Sequence, residues 1–199
     1  MMRMKANFKV IMIFFGMLIS CMMGASEGSD ASSNWVKWHA KKRMFLLSNQ
    51  EPVGINTKIE VSLVPDKQNY LLRIEIPLAE FNSDEADRDA EVVKMLKGDL
   101  NKNLVFQSRS YSQAELNGML KTVSHTIPGK LRIGEKWHDL KFTVEIKEHL
   151  LTGSMESKLS SLDIEPPSML GGLMVKVDDY IKLSVQLNLE SLLKDLYKG

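Results

Sequence analysis

The sequence predicts a mainly β fold, an eight-stranded antiparallel barrel with one or two short helices. Apolar side chains alternate with charged ones along residues 70–78, 139–147 and 181–190, as in strands that bury one face. Residues 123–151 contain two such strands around the turn-forming Gly134. Because no second apolar layer is evident, a barrel is the arrangement that buries these faces and leaves no free edge.

The composition is typical of one globular domain. The chain has 199 residues, of which 44% are hydrophobic and 26% are charged. Three basic residues and no acidic ones precede residue 20, so the remainder carries a small net negative charge. This balance excludes the basic surface expected of a nucleic-acid-binding protein. Cys21 is the only cysteine, which excludes an intrachain disulfide.

The amino terminus predicts export. A basic start is followed by ten apolar residues, 10–19, too few for a span of about 20 residues, and together they predict a signal peptide over 1–20. The tetrad Leu18-Ile19-Ser20-Cys21 resembles the lipobox of bacterial lipoproteins, which implies that Cys21 is the lipidated first residue. Met22 after it resembles signals sorted to the outer membrane, on the periplasmic face. The alternative is ordinary cleavage, for instance after Ser26, which leaves a soluble protein.

The domain organisation follows from this assignment. Residues 21–34 are rich in serine, glycine, alanine and acids, and predict a lipidated N-terminus with a flexible tether. Residues 35–199 form the barrel domain.

The first strands are predicted over 35–47, with a possible bulge, over 55–64 and over 69–81, the last two joined by a turn at 65–66. The basic residues 41–43 either face anionic lipid head groups near the membrane or form a solvated strand edge.

Residues 82–98 break the β pattern and predict a helix. Asp84 and Asp87 have the spacing of an N-terminal capping arrangement, and Gly98 is placed for a C-terminal cap. The acids of the first turns suggest either a metal site or the ordinary preference of the helix dipole for negative charge, and the second interpretation needs no function.

Two further strands, 104–111 and 115–123, lead into the central hairpin. The hairpin points one apolar set inward from each strand: Val123, Ile127, Leu131 and Ile133 from the first, and Leu140, Phe142, Val144 and Ile146 from the second.

The remainder of the chain continues the barrel. A strand is expected within 152–162, with Gly153 at a tight connection. Two adjacent prolines and two adjacent glycines predict a long rim loop over 163–172. The last strand is 181–189, and 191–197 is a short amphipathic tail.

Five short segments suggest a relationship: Arg88-Asp89; Leu104 through Phe106-Gln107-Ser108; Gly129-Lys130-Leu131-Arg132-Ile133-Gly134; Leu162-Asp163-Ile164-Glu165-Pro166-Pro167; and Val177-Asp178-Asp179. In this order and spacing the chain resembles the YceI-like family of bacterial envelope proteins over about residues 55–189. The resemblance implies a lipocalin-like barrel whose lumen holds a long isoprenoid-type lipid, such as a polyprenyl or quinone tail. It implies no catalysis.

Catalytic and metal-binding motifs are absent from the sequence. There is no nucleophile elbow, phosphate loop, paired-cysteine site or His-Glu-x-x-His motif, so no enzyme, cofactor or metal is expected. By strand alternation His125 and His138 share the apolar face, and His149 points away. His125 is either a satisfied core residue or a donor to a quinone-like head group, and the rim loop 163–172 is the other candidate for contacting that group.

Two functions from different classes remain open. The first is a lipid-binding barrel for transport or storage, anchored to the envelope. The second is an interaction or assembly lipoprotein whose barrel is filled by its own side chains. A homodimer is compatible with both. The predicted lumen residues are those on the inward strand faces: Ile59, Val61, Leu63, Leu72, Ile74, Ile76, Phe106, His125, Leu140, Phe142, Val144, Ile146, Leu183, Val185 and Leu187.

Overall fold

The structure is a computed structural model that describes residues 34–44, 50–169 and 175–196. The predicted signal peptide, Cys21 and the tether up to residue 33 lie outside the described residues. So do residues 45–49 of the first predicted strand, 170–172 of the rim loop and the end of the C-terminal tail.

The described residues contain ten strands and three α-helices. The strands are β1 Trp35–Met44, β2 Val53–Asn56, β3 Glu60–Asp66, β4 Asn69–Pro77, β5 Asn103–Ser108, β6 Ser124–Ile133, β7 Lys136–Lys147, β8 Leu150–Ser157, β9 Ser168–Met169 and β10 Val175–Asn188. The helices are α1 Ala86–Met95, α2 Gln113–Met119 and α3 Glu190–Leu196, with short 3₁₀ helices at Leu78–Glu80 and Ser160–Leu162.

Nine strands form one antiparallel, curled sheet in the order β2-β1-β10-β8-β7-β6-β5-β4-β3, and β9 pairs with β10. The predicted class, a mainly β, lipocalin-like barrel with few short helices, is confirmed, with one more strand in the curled sheet than expected. Of the two alternatives for the first strand, regular or with a bulge, the structure has the bulge, since the register of β1 against β10 shifts between Ala40 and Lys42.

The predicted strand 55–64 is interrupted, and the interruption brings the two end strands of the sheet together. β2 pairs with β1 and β3 pairs with β4, although only residues 57–59 separate them. Asn56, which is 0% exposed, donates from Nδ2 to the Pro77 carbonyl at 2.7 Å and accepts the Lys58 amide at 2.8 Å. Ile55 and Asn82 exchange two backbone hydrogen bonds of 2.9 Å. We call this junction the seam.

The helix predicted over 82–98 is α1, but its ends differ from the prediction. Its N-cap residue is Glu85, whose side chain makes no cap hydrogen bond. At the other end Lys97, not Gly98, has the positive φ of 58°. The Gly98 amide donates to the Val93 carbonyl at 2.9 Å. This is the bond that closes a Schellman motif, in which Gly98 is the second residue after the C-cap. A Cβ on Gly98 would lie 2.6 Å from Val93 Cγ1, so close packing explains this glycine.

The strand predicted over 115–123 is wrong, because α2 occupies the first half of it. Ser112 Oγ accepts the Glu115 amide at 3.2 Å, and Glu115 Oε2 accepts the Ser112 amide at 2.8 Å. These two bonds form a capping box, which stabilises the first turn of even a short helix.

Of the predicted turns, one is confirmed and two are not. The central hairpin turns at Gly134 with a φ of 58°, as predicted. By contrast, Pro65 and Asp66 belong to β3, and the turn falls after them at Lys67, with a φ of 59°. Gly153 lies inside β8, where a Cβ would be 2.7 Å from Val144 Cγ1, so it permits close strand packing instead of a tight connection.

The core lines the inside of the curled sheet. Its buried side chains come from β1, β4 to β8, β10 and α3, and the partly buried Val61 and Leu63 of β3 pack against them. One end of the barrel carries α1, the β6–β7 turn and the 3₁₀ helix Ser160–Leu162, and we call it the α1 end. The opposite end carries α2 and α3, and we call it the α2 end. Among the described residues no helix has the length and apolar character needed to cross a membrane.

Candidate ligand-binding cavity

A cavity of about 410 Å³ lies inside the curled sheet. This volume falls within the range of small-molecule sites. The inward side chains of the strands form its walls, and the apolar side chains of α1 lie over one end of it.

Ten of the predicted lumen residues line the cavity: Leu72, Ile74, Ile76, Phe106, Leu140, Phe142, Val144, Leu183, Val185 and Leu187. They come from four strands, β4, β5, β7 and β10, and in each of the three strands that contribute several they are every second residue. Phe106 and Phe142 meet edge to face, with ring centroids 5.5 Å apart and planes at 79°. Strand alternation therefore located part of the wall.

The other five predicted lumen residues lie away from the cavity lining: Ile59, Val61, Leu63, His125 and Ile146. The first three belong to the seam and to β3, an end strand against which α3 packs, and they pack within the core. Ile146 is buried near the end of β7, where its amide donates to the Val123 carbonyl at 2.9 Å.

His125 is held by the backbone at the α2 end. Its Nε2 lies 2.7 Å from the Met119 carbonyl oxygen and 2.9 Å from the Thr122 carbonyl oxygen. Since both neighbours are acceptors, Nε2 must carry the proton and donate to them. A ring nitrogen used in this way is not available to a head group, and it fixes the end of α2 beside the start of β6.

Charged residues line the cavity only at the α1 end. They are Lys42 from β1, Glu85 immediately before α1, and Asp87, Arg88 and Glu91 within it. The three acids are exposed, whereas Lys42 and Arg88 are half-buried. The cavity therefore meets solvent beside the first turns of α1, while its interior remains apolar.

Arg88 and Asp89, two residues of the predicted family pattern, position the start of α1. Arg88 donates from Nε to Ser83 Oγ at 2.8 Å and from Nη2 to the Ser83 carbonyl at 2.5 Å. The Ser83 hydroxyl donates to Asp89 Oδ1 at 2.5 Å, and Arg88 also pairs with Glu85 at 3.0 Å. This network holds the start of α1 at the edge of the cavity opening.

A second group of lining residues was not predicted from the sequence. Val36, Trp38 and Ala40 of β1 alternate inward, and a period of two is visible there in the sequence, although basic residues obscure it. Val92, Met95 and Leu96 line the cavity from α1. Their helical spacing in the sequence could have identified them as lining residues, since a helix over the end of a sheet turns its apolar face toward the core.

The rim loop also contributes to the lining. Its residues Ile164 and Pro167 line the cavity at the α1 end, next to Leu162 of the 3₁₀ helix. Asp163 has a φ of 55°, and its carboxylate accepts a hydrogen bond from Lys136 Nζ at 2.8 Å, which lowers the pKa of Asp163. The loop is thus fastened to the tip of the central hairpin.

The histidines lie in separate surroundings. His138 Nε2 is buried without a hydrogen-bond partner, and burial together with Lys182 and Lys37 lowers the pKa of His39. Within the described ranges, no group of three or more histidine, cysteine or acidic side chains is arranged to hold a metal ion.

Comparison with known proteins agrees with this architecture. The model of the YceI-like domain matches residues 30–189. No curated protein sequence matches the chain. Similar solved structures include BcnA of Burkholderia cenocepacia, which is 15% identical with a TM-score of 0.52, over 76% of this chain and 94% of that one.

Two further structures share the fold. A polyisoprenoid-binding domain from Saccharophagus degradans, implicated in plant cell wall breakdown, is 10% identical with a TM-score of 0.54, over 79% of this chain and 93% of that one. The YceI protein of Campylobacter jejuni is 15% identical with a TM-score of 0.51, over 67% and 81% of the two chains. At these identities the structures show the fold alone. The family match covers most of the chain, and the protein belongs to the YceI-like domain family.

Proposed function

We propose that the protein is an envelope lipoprotein whose barrel binds one long apolar lipid of the polyisoprenoid or quinone type, for transport or storage and without catalysis. The observation that carries this proposal is the cavity, which is apolar along its interior and charged only at the α1 end. A polar or charged ligand would lose its hydration there without finding partners.

Burial of methylene groups supplies the affinity. Each CH₂ removed from water contributes about 0.8 kcal/mol, so 20 of them contribute about 16 kcal/mol. Immobilising a ligand costs roughly 4–15 kcal/mol. The balance favours long chains and gives little discrimination along their length.

Selectivity then depends on the polar end of the lipid. Arg88, Lys42 and the rim loop lie where the cavity meets solvent, so the head group is proposed to lie there. This placement replaces the expectation for His125, whose Nε2 is bonded to two carbonyls at the opposite end of the barrel.

Lipid extraction tests the binding proposal. Purified full-length protein is extracted into organic solvent, the extract is analysed by mass spectrometry, and the protein is titrated with a polyprenyl lipid. We expect a co-purified isoprenoid-type lipid and saturable binding. Ala40→Phe, which places a ring inside the cavity, should weaken binding, whereas Lys41→Phe on the outward face of the same strand is the matched control.

An absence of lipid and of saturable binding would contradict the proposal. It would favour the alternative of a non-enzymatic interaction or assembly lipoprotein.

The proposed anchor is tested separately. Cys21→Ala should leave the precursor unprocessed or release the protein from the membrane fraction. If this variant still matures and sediments with membranes, Cys21 is not the lipidated residue. Fractionation of inner and outer membranes then tests the outer-membrane sorting inferred from Met22.

A further inference from the structure

Two aromatic rings form part of the cavity wall, and each lies over a glycine. Trp38 of β1 and Phe106 of β5 line the cavity. Gly54 of β2 is the strand partner of Trp38. Gly129 of β6 is the strand partner of Ser108, which is two residues from Phe106 on the same face of β5. Both glycines therefore occupy inward positions, at which another residue would point a side chain into the barrel.

The rings occupy the space that these glycines leave. A Cβ on Gly54 would lie 2.3 Å from Trp38 Nε1, and a Cβ on Gly129 would lie 2.5 Å from Phe106 Cζ. Both distances are much shorter than the ~3.5 Å of a contact between two non-bonded heavy atoms. Each ring therefore lies against the neighbouring strand, and it does so only because the residue beneath it is glycine.

Packing alone holds Trp38 in this place. Its Nε1 is buried without a hydrogen-bond partner, and the residue is 7% exposed. The three atoms nearest to a Cβ on Gly54 all belong to the Trp38 side chain, so a larger residue there would meet the indole before any other group. Since the indole borders the cavity, it would be displaced into the cavity.

Phe106 is connected to more of the wall. Its ring meets the ring of Phe142 edge to face, and Phe142 also lines the cavity. A Cβ on Gly129 would in addition lie 2.5 Å from the Gln107 carbonyl oxygen, so a substitution there would disturb the pairing of β5 with β6 as well as the ring. Gly54 is therefore the position at which the effect on the cavity can be measured by itself.

Glycine at these inward positions favours a barrel with an open interior. Glycine weakens a strand, since it loses more conformational freedom on folding than any other residue and has no side chain to pack. A barrel that filled its own interior would gain stability from larger residues at inward positions. The chain instead has glycine beside two of the side chains that line the cavity.

We propose that the two glycines, Gly54 and Gly129, are positioning residues that set the width of the cavity by keeping the aromatic rings against its wall, and that this width admits the methyl branches of an isoprenoid chain. The admission of a branched chain rests on the proposed function, whereas the effect on the cavity does not. A methyl-branched chain is thicker than an unbranched one, so it is the first to be excluded when a ring moves inward. Even one additional methylene is costly in a site that is already filled.

The change in volume on unfolding under pressure tests the effect on the cavity. Pressure favours the unfolded chain, to an extent that scales with the internal volume that unfolding eliminates. Full-length protein stripped of bound lipid is unfolded under pressure, and the volume change of Gly54→Ala should be smaller in magnitude than that of the wild type. Gly118→Ala in α2 is the matched control, because a Cβ there would meet open space. A loss of stability alone lowers the free energy of unfolding and does not change this volume.

Two results would overturn the effect on the cavity. The first is an unchanged volume in Gly54→Ala, and the second is an equal change in Gly118→Ala. If Gly54→Ala does not fold, the double variant Gly54→Ala and Trp38→Phe decides the question, since phenylalanine lacks the Nε1 that would lie nearest to the new Cβ. A folded double variant assigns the clash to the indole, as proposed. If the double variant also fails to fold while Trp38→Phe folds, the clash lies elsewhere and the proposal is overturned.

A comparison of two ligands separates this proposal from the proposed function. Wild type and Gly54→Ala are titrated with a polyprenol and with an unbranched alcohol of the same backbone length. Gly54→Ala should bind the polyprenol roughly tenfold more weakly than the wild type does, and its binding of the unbranched alcohol should change much less. Equal weakening of both ligands would indicate a merely structural role and overturns the proposal. If the wild type binds neither ligand, the proposed function fails, while the pressure result still decides whether the glycines set the width of the cavity.

Discussion

The two ends of the barrel differ in how they use polar groups. At the α2 end, polar side chains are bonded to nearby backbone: Ser112 and Glu115 cap α2, and His125 holds two carbonyls. At the α1 end, Arg88 and Asp89 are also bonded to backbone, at Ser83, but the charged side chains there border the cavity as well. Both ends carry helices, so secondary structure alone does not distinguish them.

This difference indicates which end has room for function. A polar group bonded to the chain's own backbone stabilises the fold, and its removal leaves a carbonyl or amide without a partner. The exposed acids beside the cavity, Glu85, Asp87 and Glu91, stabilise little by comparison, since exposed ion pairs contribute about 0–1 kcal/mol. We therefore expect substitutions in the closed part of the barrel to change stability, and substitutions at the α1 end to change ligand exchange.

The largest effect is expected for Leu187→Ala, toward the α2 end of the cavity. Leu187 is 1% exposed, and its removal should reduce the free energy of unfolding by about 2–5 kcal/mol. Phe142→Ala should cost less than a fully packed phenylalanine, because the ring is half-buried and faces the cavity on one side. Lys141→Ala, on the outer face, should stay within about 0.5 kcal/mol. Denaturant unfolding measures all three, and a larger loss for Lys141 would mean that the two faces of β7 are assigned in reverse.

The seam provides the next prediction. Asn56→Ala removes the donor to the Pro77 carbonyl and should destabilise the protein by about 1–3 kcal/mol, the cost of an unsatisfied buried acceptor. Amide hydrogen exchange should also accelerate at Ile55, whose amide is bonded across the seam to Asn82. Thr57→Ala, at the exposed neighbouring position, is the control. Equal stability of the two variants would show that the seam is held by its backbone bonds alone.

Period-two alternation was sufficient to predict the fold class and ten of the residues that line the cavity. It succeeded along β7 and β10 because each residue there faces either the interior or solvent. It failed at residues 57–59, where the chain leaves one strand pairing for another, since such a change depends on strands distant in sequence. Val61 and Leu63 lie opposite Ile74 and Leu72 in the sheet and so share their face, but they pack against the core and do not line the cavity.

Helix signals were more local and were partly missed. Ser112 and Glu115 have the spacing of a capping box, which indicates a helix. The apolar residues that follow them also fit a strand, so the sequence pattern predicts a strand there. The C-terminal cap of α1 was displaced by one residue, because Lys97 takes the left-handed conformation usually assigned to glycine. The role of His125 could not be predicted from the sequence. Its hydrogen-bond partners, the Met119 and Thr122 carbonyls, lie beside it because α2 is a helix.

His125 provides a direct test of the difference between the ends. His125→Ala should reduce the free energy of unfolding by about 1 kcal/mol, because the Met119 and Thr122 carbonyls lose their donor. Equilibrium binding of a polyprenyl lipid should be unchanged. Arg88→Gln is the comparison at the α1 end, where we expect a change in lipid retention. Weaker lipid binding in His125→Ala, at unchanged stability, would return His125 to the role of a head-group contact.

The smallest effect concerns two carboxylates, one at each end. A hydrogen bond from Lys136 and its positive charge lower the pKa of Asp163, whereas hydrogen bonds from the Ser112 amide, Arg109 and Ser112 Oγ lower the pKa of Glu115. Lys136→Gln should therefore raise the pKa of Asp163 toward its usual value and leave Glu115 unchanged, as measured by carboxyl carbon NMR. Because both pKa values are lower in the folded chain than in the unfolded one, each contribution to stability is present above the unfolded pKa and is lost as the pH falls through the folded pKa.

Added salt should raise the pKa of Asp163 more than the pKa of Glu115, since added ions screen a charge more strongly than a backbone hydrogen bond. Equal salt sensitivity at the two positions would show that Glu115 depends on Arg109 as much as Asp163 depends on Lys136.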